Sequence, residues 1–145
     1  MRAVVQRAAH ASVAVDGEVV AAIGAGLVVL LGVANGDSDA AAQRLAGKVA
    51  RLRIFENENG RFDRSLLDVG GEALVVSQFT LIADTQRGNR PSFAAAASPE
   101  RAESLYAQFC DALAAHDLLV KRGTFGARML VSLANDGPVT IVLDG

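Results

Sequence analysis

The sequence predicts a mixed α/β domain in which a largely antiparallel, barrel-like sheet is accompanied by two main helices. Three observations lead to this prediction. The 145 residues suit a single domain, residues 1–145, and leave little room for a second. Short apolar segments recur between turn residues, which favours strands joined by hairpins. Two longer segments carry apolar residues at helical spacing and begin with capping residues.

The first third of the chain contains a hairpin signal followed by a helix signal. Asp16-Gly17 separates two apolar segments, and this pair supplies the positive φ angles that a type I′ turn requires. Ser38 offers an N-cap to a segment whose apolar residues recur every three or four positions. Strands are therefore predicted at Arg2–Ala8, Val13–Val15, Glu18–Ile23 and Gly26–Val33, and the helix is predicted to run to about Ile54.

The remainder of the chain predicts further strands and the second main helix. Ser98-Pro99-Glu100 combines a cap, a proline at the first helical position and an acid in the first turn. A long loop, residues 84–98, precedes it. A short helical turn is predicted at Ser65–Asp68, strands at Glu72–Ile82, Lys121–Thr124, Met129–Ala134 and Val139–Leu143, and a hairpin turn at Asn135–Pro138.

Composition excludes several classes of protein. The net charge of −2 argues against a broad basic footprint on long nucleic acid, so DNA is not an expected partner, although a local contact with a nucleic-acid end is compatible with it. The single cysteine excludes an internal disulfide and favours a reducing, cytoplasmic location. The longest uncharged apolar stretch, Val19–Ala34, is 16 residues, shorter than the about 20 of a membrane-spanning helix.

The usual catalytic groups are scarce. His10 and His116 have no metal-ligand spacing, so neither a metal nor another cofactor is expected. Cys110 falls within the second helix with no cation beside it in sequence, which indicates a buried, inert thiol. No histidine has an evident route to Ser77 or Thr80, so a catalytic triad is not expected.

Two short segments that interrupt apolar strands remain as candidate functional sites. Period-two alternation along Glu72–Ile82 places Ser77 with Phe79 on one face and Gln78 with Thr80 on the other. They are either solvated strand-end positions or site residues. Gly137-Pro138 is either an ordinary turn or a segment that presents two main-chain carbonyls and no side chain. A cis bond there would direct both carbonyls toward a donor such as an ammonium group.

At these two places the sequence resembles a known family. Ser77–Leu81 and Asn135–Thr140 are similar to the paired signature motifs of the D-aminoacyl-tRNA deacylases. Arg128 departs from the acidic residue common in that family. The similarity extends to Met1–Ala8, Leu66–Gly71, Ala83–Thr85, Arg90–Phe93 and Phe125–Ala127.

The resemblance implies an enzyme and its substrate. The expected activity is hydrolysis of the ester that joins a D-amino acid, or glycine mischarged on alanine tRNA, to the terminal ribose of tRNA. The expected assembly is a homodimer with the active site at its interface. A cis Gly137-Pro138 bond is expected to enter the partner subunit's pocket, hold the substrate's amino group and exclude L side chains.

The resemblance also implies site residues. Main-chain amides near Phe79 and Thr80 are candidates for the oxyanion hole, and the Thr80 hydroxyl is either catalytic or, as the lack of a base favours, a positioning donor. Phe79 either stacks on the terminal adenine or belongs to the core. The residues implied to bind substrate are Ser77, Gln78, Gly137 and Pro138, with Arg7 supporting the Gly-Pro turn and Met129 lining the pocket.

The role of two arginines and two alternatives to a hydrolase stay open at this point. The loop arginines Arg87 and Arg90 either meet tRNA phosphates or are simply solvated. The same fold could serve a non-catalytic dimeric protein that binds a small ligand. It could also serve a structural oligomerisation module, in which the 51% apolar content covers an interface.

Overall fold

The computed structural model describes residues 1–145. Three strands open the chain, helices then separate groups of one or two strands, and the long first and last strands lie side by side. The strands are β1 (Arg2–Val15), β2 (Glu18–Ile23), β3 (Gly26–Gly32), β4 (Phe55–Glu56), β5 (Phe62–Arg64), β6 (Glu72–Ser77), β7 (Leu119–Arg122) and β8 (Leu130–Asp144). The helices are α1 (Asp39–Arg51), α2 (Leu66–Val69) and α3 (Pro99–Ala114), and a 3₁₀ turn covers Phe79–Leu81.

The sheet is organised around β1. One edge of β1 pairs antiparallel with β3 along its first half and with β2 along its second half, while the other edge pairs antiparallel with β8. β6 joins β3 in parallel, and β7 joins β6 in parallel. β2 approaches β6 and β7 across the curled sheet, so the sheet is mixed and nearly closed, as the sequence predicts.

Two apolar clusters explain the burial of the central strands. Leu27 and Val29 of β3 face a cluster that includes α1 and α3, whereas Val28 of β3 faces the inside of the curled sheet with Leu74 and Val76 of β6. β3 is therefore covered on both faces, which explains its uninterrupted apolar sequence.

Local signals in the sequence locate the main helices correctly. The Ser38 hydroxyl accepts a hydrogen bond from the Ala41 amide at 3.1 Å, and Ser98 caps α3 in the same way. α1 ends at Arg51, slightly before the predicted end at Ile54. No helix of the structure is both long and apolar enough to cross a bilayer.

The predicted hairpin turn at Asn135–Pro138 is wrong. β8 runs through this segment without reversing, and residues 136–139 form a wide bulge opposite Arg7 alone, between the pairs Gln6–Thr140 and Ala8–Asn135. The physical reason is the length of β1. Because β1 extends from Arg2 to Val15, it can pair with the segments on both sides of the bulge. The predicted strands Arg2–Ala8 and Val13–Val15 likewise form one strand.

The predicted strand Glu72–Ile82 is wrong beyond Ser77. The Gln78 amide still donates to the Leu31 carbonyl at 2.8 Å, but the chain then turns through Phe79–Leu81 and crosses the end of β3 at Gly32. A Cβ at Gly32 would lie 2.9 Å from the Leu81 Cβ, so this close crossing requires glycine. The expected alternation of polar side chains between two faces is therefore replaced by a turn.

Candidate active site

A cavity of about 570 Å³ opens where β6 ends. Its polar side chains come from Ser77 and Gln78, and most of the remaining lining is apolar. Three segments that are distant in sequence enclose it. The lining comprises Val76, Ser77, Gln78, Phe79, Phe93, Ala96, Ala97, Pro99, Ala102, Phe125, Gly126, Ala127, Met129 and Val131.

Phe79 forms an aromatic surface at this cavity. Its ring packs edge-to-face on Phe93, with the ring centroids 5.0 Å apart, and its side chain is 54% exposed. Of the two alternatives for Phe79, the core position is therefore excluded. An aromatic face that is braced from one side and open on the other is suited to stacking on a flat ligand group.

Thr80 lies immediately beyond the cavity lining. Its hydroxyl accepts a hydrogen bond from Gln78 Nε2, and the residue is exposed. No histidine, lysine or carboxylate lines the cavity, so no side chain there can activate the hydroxyl as a base. Phe79 and Thr80 begin the 3₁₀ turn, where main-chain N–H groups have no acceptor within the turn. These two amides are therefore free to bind an anionic oxygen.

The Gly137–Pro138 segment forms a second group of candidate residues. Its peptide bond is cis, and Asp136, Gly137 and Pro138 are exposed. The Asn135 side chain accepts a hydrogen bond from the Val139 amide at 3.2 Å, which closes the bulge from within. The segment therefore projects from β8 with its main chain open to solvent.

Arg7 anchors this segment through hydrogen bonds from its side chain. Its guanidinium is buried and donates from Nε to the Asp136 carbonyl at 3.1 Å and from Nη1 to the Ile54 carbonyl at 2.8 Å. Glu56 lies 3.4 Å from Nη2, and the Phe62 ring lies beside the guanidinium with its centroid 5.9 Å from Cζ. The Arg7 side chain therefore ties the bulge to the β4–β5 hairpin.

The structure separates the predicted site residues into these two groups. Ser77, Gln78, Phe79 and Met129 line one cavity, with Thr80 at its edge. Gly137 and Pro138 do not line it, and they lie with Arg7 on the bulge of β8. Within one chain, the predicted substrate-binding carbonyls and the predicted pocket are thus different places.

Sequence reasoning missed several lining and supporting residues. Phe93, Phe125 and Ala102 line the cavity, although Phe93 and Phe125 lie in segments that carry the family resemblance. An aromatic residue within a segment that resembles the family is the signal that could have indicated Phe93 and Phe125 as lining residues. Glu56 and Phe62 contact Arg7 from a hairpin whose tip reads only as a polar turn in sequence, so no signal indicated them.

The other reactive side chains lie outside both groups. Cys110 is fully buried on α3, and burial raises the pKa of its thiol to about 11. The prediction of a buried thiol is confirmed, and no thiolate forms there near neutral pH. No cluster of three or more His, Cys, Asp and Glu side chains is present that could hold a metal ion.

This fold and cavity define a class: a mixed α/β protein with a pocket that offers main-chain amides and an open aromatic ring in place of a catalytic triad. A family model described as D-Tyr-tRNA(Tyr) deacylase matches residues 4–144. The chain belongs to this family, and the predicted family and hydrolase activity are confirmed.

Individual relatives agree over the whole chain. The D-aminoacyl-tRNA deacylase of Roseiflexus castenholzii is 61% identical over 99% of this chain and 92% of its own length. The D-aminoacyl-tRNA deacylase of Dinoroseobacter shibae is 57% identical over the full length of both chains.

Two solved structures share the fold. The structure of a protein named c-Myc DNA Unwinding Element Binding Protein superimposes with a TM-score of 0.94 at 44% identity, covering 100% of this chain and 99% of that one. A probable eukaryotic D-amino acid tRNA deacylase superimposes with a TM-score of 0.84 at 20% identity, covering 98% and 97%, and shows the fold alone.

Proposed function

We propose that this chain hydrolyses the ester of D-aminoacyl-tRNA, and of glycyl-tRNA mischarged on alanine tRNA, to free amino acid and tRNA. Residues 1–145 act as one domain, in the cytoplasm and without a cofactor. The activity removes amino acids of the wrong handedness before they reach translation. The tRNA partner is bound through its aminoacylated 3′ end, and DNA is not a substrate.

The observation that carries this proposal is the separation of the Gly137–Pro138 bulge from the cavity. The cavity offers the side chains of Ser77 and Gln78 but no carboxylate to bind an ammonium group, while the bulge offers carbonyls without a pocket. In a homodimer, the bulge of one protomer enters the cavity of its partner, and the two halves form one site. The rigid anchoring by Arg7 supports a bulge built to insert.

An uncovered apolar face supports the same homodimer. Val4 pairs directly with Leu30 on one side and with Val142 on the other, so the three side chains share one face of the sheet. Val142 is 59% exposed, and Val4 and Leu30 are only half-buried. A second copy packed there would remove this apolar surface from water.

Ester hydrolysis at this site uses the main-chain amides of Phe79 and Thr80 and the aromatic ring of Phe79. An aminoacyl ester is already activated, so its hydrolysis needs a placed water and stabilisation of the developing oxyanion. The amides of Phe79 and Thr80 supply that stabilisation, and the neighbouring ribose hydroxyl orients the water. Phe79 stacks on the terminal adenine, Ser77 and Gln78 bind the substrate beside it, and Met129 closes the pocket floor.

Chirality is sensed by main-chain atoms. Carbonyls of the inserted Gly137–Pro138 hold the amino group common to all substrates. With the amino group and the ester fixed, an L side chain meets the main chain of the bulge, whereas a D side chain and the hydrogen of glycine do not. Rejection by such a clash selects handedness without selecting side-chain identity.

Mixed dimers test this arrangement. Gly137→Ala damages the bulge, and Phe79→Asp places a charge at the cavity that repels the RNA end. If the site is shared, co-assembly of the two inactive variants restores one intact site per dimer and a substantial part of the activity. If both parts act within one chain, the mixture stays inactive. Substrate binding without turnover by the unaltered protein would instead support the non-catalytic ligand-binding alternative.

A further inference from the structure

The second half of α1 and the adjoining β4–β5 hairpin concentrate positive charge. Six of the chain's 14 basic residues lie between residues 44 and 64, against three of its 16 acidic residues. The chain as a whole has a net charge of −2, so the charge is unevenly distributed. A local surplus of this kind attracts polyanions even on an acidic protein.

Most of these cations are not neutralised by neighbours. Arg53 pairs with Asp63 and Arg64 pairs with Glu58. The other four side chains are exposed and have no carboxylate within 4.0 Å; they are Arg44, Lys48, Arg51 and Arg61.

Part of this surface is a groove. Gly47, Lys48, Arg51, Leu52 and Arg53 line a shallow depression of about 390 Å³, named here the basic groove. The Arg51 guanidinium donates to the Gly47 carbonyl at 3.2 Å, which holds it along the groove. Lys48 and Arg51, the two cations of the groove without a carboxylate partner, suit a phosphate group, because ammonium and guanidinium groups both bind phosphate oxygens strongly.

The basic groove is physically joined to the Gly137–Pro138 bulge. Arg53, which lines the groove, directly precedes Ile54, and the Ile54 carbonyl accepts the 2.8 Å hydrogen bond from Arg7. Arg7 in turn binds the Asp136 carbonyl beside Gly137. The groove and the bulge are therefore held in a fixed relationship through one buried side chain.

We infer that the basic groove binds the phosphate backbone of the tRNA acceptor stem. This inference rests on the proposed function. When the bulge of one protomer enters its partner's cavity, the basic groove of the first protomer lies beside the partner's cavity, because Arg7 links that groove to the bulge. The tRNA is then bound across the dimer, with its 3′ end in one protomer and its backbone on the other.

The test compares two substrates and two double variants. Lys48→Gln/Arg51→Gln removes two charges from the groove, and Lys121→Gln/Arg122→Gln removes two charges from β7, where Arg122 is paired with Asp111, as the control for the change in net charge. Each is assayed on D-tyrosyl-tRNA and on the D-tyrosyl ester of adenosine, which has no stem. We expect the groove variant to lose about 10-fold in kcat/KM on tRNA at low salt and to keep wild-type activity on the adenosine ester. The control should keep both activities.

Binding of uncharged tRNA, measured by fluorescence anisotropy over a range of salt concentrations, gives a readout independent of catalysis. Loss of two phosphate contacts should reduce the slope of log affinity against log salt by about 1.5. An unchanged slope, an equal loss on both substrates, or tighter binding of single-stranded DNA than of tRNA would overturn the inference. If the unaltered protein cleaves neither ester, the proposed function fails, and the salt slope still decides whether the groove binds RNA.

Discussion

The Arg7 guanidinium lies 3.1 Å from the main-chain carbonyl of Asp136, although 129 positions separate the two residues in sequence. The same side chain reaches the Ile54 carbonyl at 2.8 Å. A planar guanidinium can donate in several fixed directions at once, and a lysine ammonium cannot reproduce that geometry. The position of the bulge on β8 therefore depends on an arginine at residue 7.

Arg7→Lys should lower kcat/KM for D-aminoacyl-tRNA by about 10–100-fold, because a displaced bulge holds the substrate in the wrong position. Because a lysine nitrogen cannot bind Asp136 and Ile54 together, the free energy of unfolding should also fall by about 1–3 kcal/mol. Deacylation kinetics and urea unfolding measure the two effects. Arg122→Lys, at an exposed arginine paired with Asp111, is the control and should alter neither. Wild-type kinetics in Arg7→Lys would contradict the conclusion that Arg7 positions the bulge.

Gly137→Ala should reduce activity far more than stability. Gly137 has a φ of +131°, and an added Cβ would lie 2.8 Å from Val139 Cγ2 and 3.2 Å from Arg7 Nη2, so the bulge must shift. Asp136, Gly137 and Pro138 are exposed, so the bulge can shift outward into solvent, although Val139 belongs to the apolar core. Gly36→Ala is the matched control, since Gly36 also has a positive φ but nothing within 4 Å of a Cβ. Each should cost about 1–3 kcal/mol, because a side chain is held at a positive φ, and only Gly137→Ala should lose activity.

Thr80→Ala should keep measurable hydrolysis, with less than about a 10-fold fall in kcat, because no base is present to make the hydroxyl a nucleophile. Thr80→Ser keeps the hydroxyl and should match the unaltered protein. Single-turnover deacylation at saturating enzyme separates the chemical step from binding. Abolished hydrolysis with normal tRNA affinity would make Thr80 catalytic.

Stability should decrease above pH 9. Burial raises the pKa of the Cys110 thiol to about 11, from 9.0 when unfolded, and burial also raises the pKa of Tyr106. Between pH 9 and 11 the unfolded thiol releases its proton while the folded one retains it, so the free energy of unfolding falls as pH rises. Urea unfolding at steps from pH 8 to 11 measures this fall. Cys110→Ala should make it shallower, and equal slopes in the two proteins would contradict the assignment.

The local signals in the sequence were sufficient for the elements they govern. The Asp16-Gly17 turn has the expected positive φ angles, 51° and 81°, because two adjacent residues determine it. The caps at Ser38 and Ser98 depend on amides three residues away. These features involve only neighbouring atoms, so composition and spacing predict them.

The site depends on contacts that spacing does not encode. The bulge at Asn135–Pro138 exists because β8 pairs with β1, and the turn at Phe79–Leu81 exists because Gly32 admits a close crossing. Four consecutive turn-forming residues predict a reversal of the chain as long as the pairing of β8 with β1 is unknown. The motifs therefore supplied the candidate site residues, whereas their division between a cavity and a bulge emerged only from the tertiary structure.

The most direct test is the decay of matched D- and L-tyrosyl-tRNA incubated with the purified protein. The carbonyls of an inserted bulge should accept the D ester and exclude the L ester, so D-tyrosyl-tRNA should be hydrolysed rapidly while L-tyrosyl-tRNA decays at its spontaneous rate. Equal decay of both esters, or enzyme-dependent decay of neither, would contradict the account.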